Sequence, residues 1–153
     1  MAGLTGKVEK EVEIHAPAEK FYKLWKSECF HLPTASPSNI QGVEVHEGDW
    51  ESAGSIKIWK YTVEGRAETF KEKIEADDEH MTVTLHGIEG DIFKNFKFWK
   101  PVFKVAPKQQ GSGSVATLSI EYEKRNKDVP DPVAYVDFMA SMTRDVASHI
   151  MKA

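Results

Sequence analysis

A change of hydrophobic period near residue 130 constrains this chain more than any other feature. In Ser114–Lys124, Ala116, Leu118, Ile120 and Tyr122 share one parity, while Thr117, Ser119, Glu121 and Glu123 hold the other. A period of two is that of a strand with one dry face and one wet face. Beyond Pro130-Asp131-Pro132 the spacing lengthens. Tyr135, Phe138, Met139, Met142, Val146 and Ile150 recur at three or four residues, which predicts a long C-terminal helix with an aromatic and methionine-rich stripe. Methionine is flexible and polarisable, so it suits a surface that must accept more than one shape.

The upstream sequence says what that helix packs against. Val8, Lys10, Val12 and Ile14 alternate with Glu9, Glu11 and Glu13, a first strand with a lysine on its apolar parity. Pro17 suits the first turn of a helix, whose buried face is Phe21, Leu24 and Trp25. Pro33 and Pro37 bound a second short piece, and a strand follows over 40–47. Strands over 55–63 and 66–76 flank a Glu64-Gly65 hairpin turn, and further strands are expected over 81–88, 96–105 and 114–124. Pro101, inside the sixth of these, demands a bulge or a position where no N–H is needed. The order is strand, two short helices, six strands, long helix. It predicts an α+β fold: a seven-stranded curved antiparallel sheet around a C-terminal helix. No repeat or linker divides the 153 residues, so 1–153 reads as a single domain. A sheet curved around one rod about 10–12 Å wide encloses more space than the rod fills. With Val83, Leu85, Gly87 and Ala116 on inward parities, a hollow core is expected.

Several function classes drop out. A net charge of −4 argues against nucleic acid or an anionic membrane as the main partner. One cysteine, Cys29, excludes an internal disulfide and lacks a neighbouring base, so it reads as a structural thiol. There is no apolar signal core, no stretch long enough to span a membrane and no glycosylation sequon, so a cytoplasmic protein is expected. The histidines form no site. His86 alternates outward, His80 sits in an acidic turn, and Asp145 and His149 are spaced as an exposed helix pair. Nucleophile elbow, H-E-x-x-H and dinucleotide motifs are missing from the sequence, so neither metal nor cofactor is expected.

Several segments in order carry a family resemblance: Leu4-Thr5-Gly6-Lys7, His46-Glu47-Gly48, and Gly54-Ser55-Ile56-Lys57-Ile58-Trp59. They continue with Phe70-Lys71-Glu72-Lys73-Ile74-Glu75, Ile88-Glu89-Gly90-Asp91, Ile120-Glu121-Tyr122-Glu123-Lys124, and Asp131-Pro132 before Tyr135. End to end, the chain resembles the plant major latex proteins of the Bet v I superfamily. That resemblance implies the helix-grip (START-like) fold and an apolar cavity for hydrophobic or amphipathic ligands. It also implies a link to plant defence and stress. One stretch departs from the pattern. Where allergen-type relatives carry a glycine-rich loop, this chain has Glu47-Gly48-Asp49-Trp50-Glu51-Ser52-Ala53-Gly54. Its acids would repel a phosphate, so nucleotide binding is not expected there.

Parity names the cavity lining. The sheet contributes Trp59, Tyr61, Phe70, Val83, Leu85, Trp99, Phe103, Leu118, Ile120 and Tyr122; the helices add Trp25, Leu32, Tyr135, Phe138, Met139 and Met142. Glu68 and Glu72 share the parity of Phe70, and an inward pair with Lys10 is one reading; the favoured one is that these long side chains snorkel to the rim. A ligand burying about 300 Å² of apolar surface gains roughly 7–8 kcal/mol, part of which association entropy offsets. The leading expectation is a carrier or receptor for sterol, fatty acid, flavonoid, hormone or xenobiotic molecules, monomeric or weakly dimeric, with no stable membrane association. A cavity enzyme for condensation or isomerisation, using Glu68, Glu72, Lys10 and Tyr61, is the second reading. A ligand-dependent protein-interaction module is the third. Gating is expected at 48–54, 89–95 and the C-terminal helix.

Overall fold

Burial alternates along the strands, and it is this alternation that curls the sheet around a helix. In β3 (Ile56–Val63), Lys57, Trp59, Tyr61 and Val63 are buried; in β4 (Arg66–Asp77), Phe70, Glu72 and Ile74 are. A computed structural model describes residues Leu4–Lys152. Strand β1 (Thr5–Ile14) leads into helices α1 (Ala18–Ser27) and α2 (Leu32–Ala35). The chain then runs through β2 (Ile40–Glu47), β3, β4, β5 (Thr82–Gly90), β6 (Phe96–Pro107) and β7 (Ser114–Lys124) to α3 (Val133–Lys152). All seven strands form one antiparallel sheet in the order β1-β7-β6-β5-β4-β3-β2. Strand β1 thus lies at one edge and β2 at the other, and α1 with α2 spans between them.

Local chemistry accounts for the irregular points. Glu64 and Gly65 both take positive φ, 49° and 77°, the geometry a tight β3–β4 hairpin requires. Pro101 pairs with Ile120 of β7, and the β5–β6 ladder ends at Thr84 and Val102. No N–H is therefore wanted from Pro101 on the β5 side.

The interior is much fuller than a helix inside a curved sheet requires. Gly87 was expected to leave room, yet a Cβ there would meet the Trp99 carbonyl oxygen at 2.7 Å and the Phe93 ring at 2.9 Å. The glycine serves close approach of β6 to β5, and its missing side chain is not free volume. Trp25 of α1 likewise reaches across to stack on Phe103 of β6, ring centroids 3.9 Å apart. Asp145 does not pair with His149. It accepts a hydrogen bond from Ser36 Oγ at 2.6 Å and holds the α2–β2 corner against α3, while the His149 ring lies against His31.

Candidate ligand-binding site

Two neighbouring spaces lie between the sheet and α3. The inner one is an apolar hollow of about 70 Å³, bordered by α1, the concave face of the sheet and the Tyr135–Met142 face of α3. The outer one is a polar cleft of about 400 Å³ at the mouth, formed by the β3–β4 hairpin, the Asp91–Asn95 turn and the segment preceding α3. Tyr135 borders both.

Most of the aromatic and aliphatic residues that parity placed in the lining do border the hollow, joined by Ile40 and Pro101. Six of the expected residues do not. Leu32, Val83 and Leu118 are buried in the packing around it, and Tyr122 donates to Asp131 Oδ1 at 3.1 Å. Glu68 lines the outer cleft. Glu72 is fully buried, and Trp59, which does border the hollow, donates its Nε1–H to Glu72 Oε1 at 3.1 Å. Ile40 was missed because it opens β2, ahead of any alternation. Pro101 was read only as a ladder problem.

Where the two spaces adjoin, four side chains meet, centred on Glu68. Tyr61 donates to Glu68 Oε1 at 2.9 Å, and the Tyr135 hydroxyl lies 3.0 Å from both carboxylate oxygens. Arg66 Nε stands 3.5 Å from Glu68 Oε2. Burial first, and then the Glu68 charge, hold the Tyr61 phenol far above its ordinary value. Tyr135 is pushed up to about 12, chiefly by burial. Both phenols therefore stay protonated and act as donors.

Deeper in the fold Glu72 is buried instead of reaching the rim, and its partner is Lys57, which the sequence reading did not single out. Lys10, the alternative partner for Glu68 or Glu72, does reach the surface. Lys10 runs out to Asp137 of α3, at 2.9 Å and with its side chain 41% exposed, because a long stem on an edge strand can carry its charge to water. Lys57 is 1% exposed, with Nζ 3.7 Å from Glu72 Oε1. Neither Lys57 Nζ nor Glu72 Oε2 has a hydrogen-bond partner. The groups singled out for acid–base chemistry are thus dispersed: Glu68 and Tyr61 meet at the mouth, Glu72 stands beyond Trp59, and Lys10 is at the surface. Cys29 donates to the Trp25 carbonyl at 3.1 Å, and burial pushes its thiol up to about 12, so it is no nucleophile at neutral pH.

Burial raises the Glu72 carboxyl to about 6 from an ordinary 4.5, with the Lys57 charge and the Trp59 hydrogen bond opposing the rise. Between those values the folded protein binds more protons than the unfolded chain, so stability falls as pH rises through the window. The whole effect is about 2 kcal/mol. Acidifying from neutral pH to the lower end of the window is expected to stabilise the parent by up to that amount relative to Glu72→Gln. Paired urea titrations read the difference, and a flat difference profile would show that Glu72 titrates as an exposed carboxylate.

The loop between β2 and β3 also has a defined structure. Asp49 accepts backbone N–H groups from Glu51 at 2.9 Å and Ser52 at 2.7 Å, so the donors that a phosphate would use already face a carboxylate. These hydrogen bonds also hold the Asp49 carboxyl below its usual range.

Comparison with known proteins agrees with this architecture. Residues 3–153 match the family described as the pathogenesis-related protein Bet v 1 family. The chain belongs to the Bet v 1 family. It is 40% identical to MLP-like protein 328 of Arabidopsis thaliana, covering 97% of this chain and 98% of that one. It is 34% identical to major latex protein 146 of Papaver somniferum, covering 98% and 94%. The ginseng major latex-like protein 151 from Panax ginseng superposes with a TM-score of 0.92 at 38% identity, covering 97% of this chain and 99% of that one. Norcoclaurine synthase from Thalictrum flavum shares the fold at a TM-score of 0.80 and 21% identity, over 97% and 88% of the two chains. Among the described residues, no helix is long and apolar enough to cross a membrane.

Proposed function

We propose that this Bet v 1 family protein binds small hydrophobic or amphipathic molecules in the space between its sheet and α3, and that such binding underlies a carrier or receptor role in the plant cell. The observation that carries the reading is Tyr135, one side chain bordering both an apolar hollow and a polar cleft. A ligand with an oily body and a polar end fits that division. The driving force is removal of apolar surface from water. Size sets the mechanism. At about 70 Å³ the hollow is smaller than the ~150 Å³ apolar cavity that accepts benzene. Binding a sterol-sized or flavonoid-sized molecule therefore requires α3 side chains to move. Tyr135 and Phe138 are only partly buried, and Met139 and Met142 have the rotamer freedom to repack around a guest.

The test is displacement of N-phenylnaphthylamine, a neutral fluorescent probe, by sterols, fatty acids, flavonoids and plant hormones. At least one class is expected to compete at about micromolar concentration, as the area buried by a drug-sized ligand allows. Failure of the probe and of every competitor to bind at high micromolar concentration would end the proposal.

A further inference from the structure

The outer cleft is built to receive one kind of polar end. Its charged lining consists of four carboxylates, Glu64, Glu68, Asp91 and Asp131, and two cations, Arg66 and Lys94. Both cations are engaged. Arg66 is divided between Glu64 and Glu68 at 3.5 Å each, and Lys94 Nζ is 3.4 Å from Asp91. Asp131 is paired from behind with Lys124 at 2.7 Å. A ligand carboxylate or phosphate arriving here would meet two cations already paired with carboxylates, and an excess of negative charge among the described lining residues.

Glu68 is different from the other three acids. Its side chain is 11% exposed, and it stands at the junction with the hollow, where it accepts from Tyr61 and Tyr135. Tyr135 is the one residue that lines both spaces, so a ligand reaching from cleft to hollow must pass beside its ring and compete with one of the two phenol donors to Glu68. A half-buried carboxylate that loses a donor needs another. A ligand hydroxyl or ammonium supplies one at the same place, with its apolar body directed inward; a ligand carboxylate supplies a second negative charge.

We propose, resting on the binding reading above, that Glu68 is a specificity-determining residue that selects amphiphiles ending in a hydroxyl or an ammonium group over those ending in a carboxylate or phosphate. Tyr135 then acts as the stand-in donor that a ligand head replaces. Arg66 holds the Glu68 carboxylate in place, as a positioning residue.

The experiment compares decylamine, decanol and decanoic acid, which share a tail, as competitors for N-phenylnaphthylamine at neutral pH. Decylamine and decanol are expected to compete at least about tenfold better than decanoic acid, as like charges in a half-buried mouth oppose binding. In Glu68→Gln, whose side-chain oxygen still accepts from both phenols, the amine and the acid are expected to come within about threefold of each other. Tyr135→Phe keeps the ring and removes the competing donor, so it should bind decylamine at least as tightly as the parent. Thermal unfolding of each variant confirms that it is folded. Equal or better binding of decanoic acid by the parent overturns the assignment of Glu68 but leaves the hollow as a site. So does an unchanged preference of about tenfold for the amine over the acid in Glu68→Gln, or a loss of amine binding in Tyr135→Phe. Failure of the neutral probe and of decanol removes both proposals together.

Discussion

Lys57→Met is expected to destabilise the protein by about 3–5 kcal/mol, the cost of breaking a buried ion pair by removing one partner. The lysine is 1% exposed and the carboxylate it faces is fully buried. Without the ammonium, Glu72 keeps only the Trp59 N–H at 3.1 Å, and its other oxygen already lacks a partner. The carboxylate then either stays charged without compensation or takes up a proton, at the expense of stability above the pH where it ionises. Removing both charges is a different matter. Lys57→Met combined with Glu72→Leu takes away the desolvation penalty along with the attraction, and buried pairs replaced by apolar groups of similar volume are often neutral. The double variant is expected to recover part of the loss, short of the parent by about 1–3 kcal/mol because Glu72→Leu leaves the buried Trp59 N–H without an acceptor. Urea unfolding decides: the midpoint should fall sharply for the single variant and recover in part for the double one, with slopes unchanged. A single variant as stable as the double would mean that water reaches the pair.

Trp99→Ala should lose about 3–5 kcal/mol and, unlike the parent, regain part of it on addition of indole. Trp99 is buried, touches Phe96 and Tyr135, and borders the hollow. Truncation merges the volume of an indole with the existing space and carries it past the size that admits benzene. If the neighbouring rings hold their places, free indole at one hundred times its dissociation constant restores about 2.7 kcal/mol. The readout is the unfolding midpoint with and without indole. A destabilised variant that ignores indole would show that Phe96 and Tyr135 had collapsed into the void, and that this wall is pliable.

Why the sequence revealed some of this and hid the rest can be traced residue by residue. Strand β7 and helix α3 were legible because each keeps one period throughout, and the Glu64-Gly65 hairpin because few residue pairs tolerate two positive φ values. The antiparallel sheet followed from the order of elements. Lys57 escaped notice although it alternates in phase with Trp59 and Tyr61, because a lysine is read as solvated whatever its parity. Lys10 shows the limit of parity from the other side: its position points inward, but its place on an edge strand beside α3 lets the charge out, as a long stem at the rim is expected to do. The size of the hollow was beyond the reach of pattern altogether. It depends on how far Trp25 leans onto Phe103 and how closely β6 approaches Gly87, and neither distance is encoded in periodicity.

The exposed carboxylate of the β2–β3 loop has a broader implication. Because Asp49 accepts the backbone N–H groups of Glu51 and Ser52, the bend keeps its shape with no visiting anion, and a search for nucleotide sites by glycine spacing would stop here in error. In this chain the bend braces itself: the amide groups that a cradle would offer to a guest are taken up by its own side chain.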